Sequence, residues 1–140
     1  MRPIKFRAWD VEGKCWIPDT HICISATGMI LTWDEWKKQW IEETIKIIIC
    51  WYTGLLDKNR AKIFEGNILE YDDIQQHYGK EIRKRIKGVV EYHPCYFSCG
   101  KVRLGGFSPE HFQMEIIGNI YENPERLKTQ WEASNESDDN

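Results

Sequence analysis

The chain has 140 residues, 41% of them hydrophobic, and a net charge of −3 at neutral pH. That length suits a single domain, typically about 100–200 residues, with a core large enough to fold without a disulfide or metal staple. The mild negative charge argues against a nucleic-acid binder that works by bulk charge, and no apolar run approaches the roughly 20 residues of a membrane span. Seven Trp, six Tyr and five Phe favour strands and interfaces, because each ring buries a large area with few rotors to freeze. Five cysteines, an odd number with no secretory segment after Met1, point to reduced thiols and the cytoplasm. Cys15, Cys23 and Cys50 sit among apolar or aromatic neighbours, as buried thiols do.

"IKFRAWD" sets Ile4, Phe6 and Ala8 against Lys5, Arg7 and Trp9. "VEGK" turns the chain and "CWIP" returns it, a β-hairpin by pattern. "HICISATGMILTW" repeats the device around Thr27-Gly28. The next segment predicts a helix from about Trp33 to Thr44. Thr32 and Glu35 have capping-box spacing, and Trp33, Trp36, Trp40 and Ile41 recur at helical intervals. "IKIIICWY" is β-branched and nearly continuous, the pattern of a central strand covered on both faces.

In "TGLLDKNRAKIFEGNILEY", Gly54 reads as a positive-φ position and Asp57-Lys58-Asn59 as a turn whose side chains bond their own backbone. Glu65-Gly66-Asn67 reads as a tight bend before a strand. Gln75 to Lys87 is polar and mixed, expected as an exposed strand arm or short helix. "GVVEYHPCYF" and "HFQMEIIGNIYEN" read as strands. Asn123 then caps, Pro124 takes the first helical position, and Leu127 and Trp131 share a face. The acidic tail, 132–140, is expected to be disordered.

Taken in order, "IKFRAWD", "YTGLLDKN", "KIFEGNIL", "GVVEY" and "IIGNIYENPERL" resemble the YopX family of phage and prophage proteins, over nearly the whole stretch from Ile4 to Leu127. Two departures stand out: Arg60 where the family usually has glycine, and Asn67 where it usually has aspartate. Asn67 keeps the turn chemistry without the charge, whereas Arg60 implies a different turn or a strained left-handed residue. The resemblance implies a β-rich fold with small-barrel character, a phage-encoded origin and a tendency to self-assemble, with no established enzyme activity. The resulting expectation is an α+β, mainly β fold in one YopX-like domain over 1–131. It comprises N-terminal β-hairpins, one helix and a C-terminal small SH3-like bent barrel.

Gly54, Asp57, Asn59, Glu65, Gly66, Asn67, Gly118, Asn119 and Pro124 are read as turn formers rather than catalysts, since no histidine or second carboxylate is fixed near Glu65. No P-loop, nucleophile-elbow or zincin string occurs, so no catalytic residue and no cofactor is assigned. His93, Cys95, Cys99 and His111 form the tempting zinc set, but ordinary packing of thiols on a β-face accounts for them better. Lys80, Arg83, Lys84, Arg85 and Lys87, with Tyr92 and Tyr96, offer the charge and stacking that single-stranded nucleic acid needs. Glu81, Asp72 and Asp73 dilute that patch, and a solvated arm is the commoner explanation. The Trp33, Trp36 and Trp40 stripe reads first as core; a surplus of indoles beyond what one small domain hides, with Trp51 among them, would mark a protein–protein surface. The expectation is therefore a non-enzymatic binding module that forms a homo-oligomer. A single-stranded nucleic-acid binder is the alternative, and a metal or thiol enzyme a distant third.

Overall fold

The computed structural model describes residues 4–42, 46–105 and 109–127. Within them twelve strands form three antiparallel sheets, and no α-helix is present among the described residues. The chain divides into two compact units, Ile4–Trp51 and the residues from Tyr52 onward. The expected tail, 132–140, and Trp131 lie outside the described residues.

In the first unit, β1 (Phe6–Asp10) turns into β2 (Cys15–Trp16). Asp10 closes that turn: its Oδ1 accepts from the amides of Glu12 and Gly13, at 3.1 and 3.0 Å. Register places Trp9 opposite Trp16, with ring centroids 5.0 Å apart. The other edge of β1 pairs with the first half of β6 (Ile47–Leu56). The expectation that β6 is covered on both faces does not hold. Ile48 and Trp51, three residues apart in an unbroken register and so on opposite faces, are 38% and 37% exposed, which leaves each face partly uncovered.

The second sheet holds β3 (Ile22–Ile24), β4 (Ile30–Asp34) and β5 (Gln39–Glu42) in that order. The expected helix is absent here; 43–45 fall outside the described residues. Asp34 turns the chain instead, accepting from the amides of Trp36 (2.9 Å) and Lys37 (3.0 Å), and Lys38 takes a φ of 49°. The resulting hairpin puts Trp33 opposite Trp40, edge to face at 5.4 Å. A seven-residue interval fits two helical turns, but it also fits two strands around a turn. Cross-strand aromatic pairing and β propensity decide for the hairpin.

The second unit contains β7 (Lys62–Phe64), β8 (Asn67–His77), β9 (Lys80–His93), β10 (Tyr96–Cys99), β11 (Val102–Arg103) and β12 (Glu115–Asn119). Five of these make one strongly curled half-barrel sheet in the order β11-β10-β9-β8-β12, while β7 pairs with the second half of β6. The arm expected at 75–87 is the β8–β9 hairpin, paired to its tip at His77 and Lys80. Ile63, Leu69, Tyr71, Val90, Cys99 and Met114 fill the core, each aliphatic contributing about 1.5–3 kcal/mol by burial. The curl tightens where Gly100, at φ 56°, passes so near the Tyr71 hydroxyl that a Cβ would have no room. The Lys101 amide donates to that hydroxyl at 3.3 Å.

The turn phrases hold this sheet together. Asp57, 3% exposed, accepts from the amides of Asn59 (2.8 Å) and Ala61 (2.9 Å) through Oδ1, and from Ile116 in β12 (3.1 Å) through Oδ2. Gly66 takes a φ of 86° in the bend before β8, whereas Gly54, expected in a turn, takes a φ of 89° inside β6 where the register with β7 shifts. The amide of Gly66 donates to Val90 and its carbonyl accepts from Ile120, so the bend is sewn to two other segments. Pro124 opens a 3-10 turn ending at Leu127. Arg60 stands in the left-handed region at φ 67°.

A Cβ at Gly66 would lie 2.9 Å from the Tyr121 ring as well as straining the backbone. Gly66→Ala is expected to lower stability by about 1 kcal/mol or more in urea unfolding. Arg60→Gly, in contrast, should raise it by up to about 1 kcal/mol, as relief of the left-handed arginine exceeds the added unfolded-state entropy. A variant less stable than the parent would show that Arg60 carries contacts outweighing its backbone strain.

Candidate functional site

The basic arm is built by alternation. Register puts Glu70 and Asp72 on one face of the β8–β9 ribbon with Glu81, Arg83, Arg85 and Lys87. Asp72, 8% exposed, is clasped by both arginines: Arg83 Nη1 reaches Oδ2 at 3.1 Å and Arg85 Nη1 reaches Oδ1 at 3.0 Å. Arg83 also donates to Glu81 (2.9 Å) and Arg85 to Glu70 (3.2 Å). The same guanidinium groups donate to the carbonyls of His111 and Gln113, while the Asp72 amide donates to Phe112. The two arginines thus staple the 111–113 segment to the ribbon.

The electrostatics follow from this geometry. Hydrogen bonds from Arg85 and then Arg83 outweigh desolvation and hold the Asp72 carboxyl below the usual carboxylate range. Arg83 is raised, first by its hydrogen bond to Asp72. Burial works against the charge of Arg85, and the bonds to Asp72 and Glu70 more than offset it. A phosphate approaching either arginine would have to displace carboxylates already in place.

Lys80 and Lys84 share the opposite face of the ribbon with the exposed Ile82. Tyr92 and Tyr96 are not brought to these charges, since roughly 40 Å of strand separates Lys80 from Tyr92 at about 3.3 Å per residue. Tyr92 packs edge-on against Phe97 (5.3 Å), and Tyr96 lies between stacking contacts with His93 (4.9 Å) and Arg103 (4.2 Å).

The tempting metal set is dispersed as well. Cys95 is exposed at φ 75°, in the turn before β10, so strand alternation does not align it with Cys99. Cys99 points into the core, and burial pushes its thiol up to about 12, far from nucleophilic at neutral pH. His93 is hydrogen-bonded to Ser98 at 2.8 Å, and His111 packs against Phe112. Among the described residues, no group of three His, Cys, Asp or Glu could hold a metal ion.

The tryptophans divide. Trp33 and Trp40 form the cross-strand pair, whereas Trp36 stands at the hairpin tip, 98% exposed. Nearby in sequence, His21 links Thr20 (2.8 Å) to Glu35 (2.9 Å), tying its 3-10 turn to the tip of β4–β5. A groove of about 350 Å³ adjoins it, lined by Asp10, Ile17, Trp33 and Lys46 among others.

A second groove, of about 320 Å³, was not anticipated from the sequence. Glu65 and Gly66 form one wall, Val90, Glu91 and Tyr92 another, and Ile120 and Tyr121 a third. These residues belong to the three phrases "FEGN", "GVVEY" and "GNIYEN", each of which places an acid or a tyrosine beside its turn or strand. That shared habit was the available signal.

A family model described as YopX protein matches residues 5–128. The chain belongs to the YopX family. Among solved structures, the crystal structure of protein EF1440 from Enterococcus faecalis is similar at 24% identity and a TM-score of 0.61, covering 91% of this chain and 100% of that one. That likeness is one of fold. No curated protein matches the chain. The phrases that carried the YopX resemblance supply four buried polar side chains, Thr53, Asp57, Asn67 and Asn119. Asn67 accepts from the Phe64 amide at 2.7 Å, and Asn119 from Tyr121 (3.0 Å) and Glu122 (2.8 Å). Asn123 lies 2.8 Å from where a Cβ on Gly118 would stand, which explains that glycine.

The clamp predicts a pH dependence. A carboxyl held low in the fold adds stability that is complete above its unfolded value near 3.9 and is lost as pH falls through its folded value. The stability gap between the parent and Asp72→Asn should therefore be constant near neutral pH and shrink only below about pH 4. Denaturant titrations across pH 2.5–7.5 test this; a gap that narrows already near neutrality would assign the loss to something other than this carboxylate.

Proposed function

We propose that this YopX-family protein is a non-enzymatic phage or prophage accessory protein that works by binding, through self-association, in the bacterial cytoplasm. The observation that carries the reading is Trp36, presented to solvent at the tip of a tight hairpin with Trp40, Met29 and Trp51 also exposed. Large aromatic rings at a rigid tip bury much area for little entropy and dominate association energies where they occur. The curled sheet supports reading the second unit as an open, SH3-like small barrel, a scaffold that presents edges and loops. Nucleic-acid binding is the weaker reading, because Arg83 and Arg85 are engaged with Asp72 and only Lys80 and Lys84 remain prominent on the other face.

Light scattering after size exclusion, with and without a short single-stranded DNA, is the test. The parent is expected to run above monomer mass, and Trp36→Ala should shift it toward monomer and lower its unfolding midpoint together, because folding and association are then linked while the ring itself packs against almost nothing in its own chain. DNA binding should be weak and vanish as salt rises. A monomer of constant mass at all concentrations would overturn self-association, and sub-micromolar DNA binding at physiological salt would promote the alternative.

A further inference from the structure

The β8–β9 arm has features that holding its own sheet does not require. Every residue from Gln75 to Arg85 is exposed, and an isolated two-stranded ribbon is marginal in water. Its tip is Tyr78-Gly79, with φ of 51° and 77°, the signs of a two-residue I′ turn in which asparagine normally precedes the glycine. A tyrosine there is strained, yet its ring is 94% exposed and touches only His77, at 4.6 Å. Lys80 follows immediately, with Ile82 and Lys84 on its face. The arm therefore offers an exposed aromatic ring beside positive charge.

The groove at the other end of β9 is the complement. Its lining combines apolar Val89, Val90 and Ile120 with Glu65, Glu91, Tyr92 and Tyr121, and the Glu91 carboxylate lies 3.9 Å from His93 Nε2. Carboxylates beside aromatic faces suit an ammonium group and a partner ring. The groove holds about 320 Å³. The tip cannot occupy the groove of its own chain, since Lys80 and Glu91 are roughly 35 Å apart along one strand at about 3.3 Å per residue.

We propose that the arm docks between copies: Tyr78 and Lys80 of one chain insert into the Glu65/Glu91/Tyr121 groove of a second copy. This rests on the self-association reading but names a contact distinct from the Trp36 tip. Reciprocal exchange gives a closed pair, and head-to-tail exchange gives a ring or a filament.

A charge swap tests it, with mass followed by light scattering. Lys80→Glu alone and Glu91→Lys alone should each lower the assembly mass, because like charges then face each other across every contact. An equimolar mixture restores both contacts with opposite signs and should regain the mass lost. Tyr78→Gly should weaken association about ten-fold or more while leaving the fold as stable or more so, since it removes an anchor and a strained residue together. Unchanged mass in both charge variants, or a mixture of folded variants that fails to regain mass, overturns the arm contact. If Trp36→Ala alone dissociates the protein while these variants do not, self-association stands without the arm; a monomeric parent removes both.

Discussion

One carboxylate organises the second unit. Asp57 is nearly sealed from water, and both its oxygens are used, two amides on the turn that follows β6 and one at the start of β12. Hydrogen bonds from backbone amides to a charged acceptor contribute about 1.5–3 kcal/mol each. They act here on segments distant in sequence. The pairing of β12 with β8, and so the free edge of the half-barrel, begins where this side chain places Ile116. Lys58 adds a backbone bond to Met114 beside it, which sets a core residue at the same seam.

Around that anchor the polar side chains work mostly on the backbone. Asn67, Asn119 and the two arginines on Asp72 satisfy amides and carbonyls that a small curled sheet would otherwise leave unpaired. The arginines show how sequence composition misleads about surface charge. A run that reads as a phosphate-binding stripe is, on one face of the ribbon, a set of crosslinks. The lysines of the arm's other face, Lys80 and Lys84, lie outside these crosslinks.

Legibility followed the range of the interactions. Hairpins closed by neighbouring residues were readable: the β1–β2 hairpin, Thr27-Gly28 and the Glu65-Gly66 bend appear as expected, although Ala8 and Trp9, set on opposite sides by alternation, are both buried. The helix was misread because 33, 36 and 40 satisfy a helical period, while the deciding contacts, Asp34 to two amides and Trp33 to Trp40, exist only once the chain has turned. The Asp57–Ile116 bond and the groove of Glu65, Glu91 and Tyr121 depend on segments far apart in the chain, so no local pattern reveals them. Asp57, Asn67 and Asn119 were recognisable as turn residues, but their burial was not.

The division at Trp51 has an optical consequence. Every tryptophan from residue 4 to 127 belongs to the first unit, whereas six tyrosines, from Tyr52 to Tyr121, belong to the second. Indole emission therefore follows one half of the molecule, apart from any contribution of Trp131, and phenol absorbance follows the other. The edge-to-face pairs Trp9–Trp16 and Trp33–Trp40 add coupled indole transitions to circular dichroism that exist only while their hairpins are closed. A single unfolding experiment can thus tell whether the halves melt together or in turn, the distinction on which any two-state stability for this chain depends.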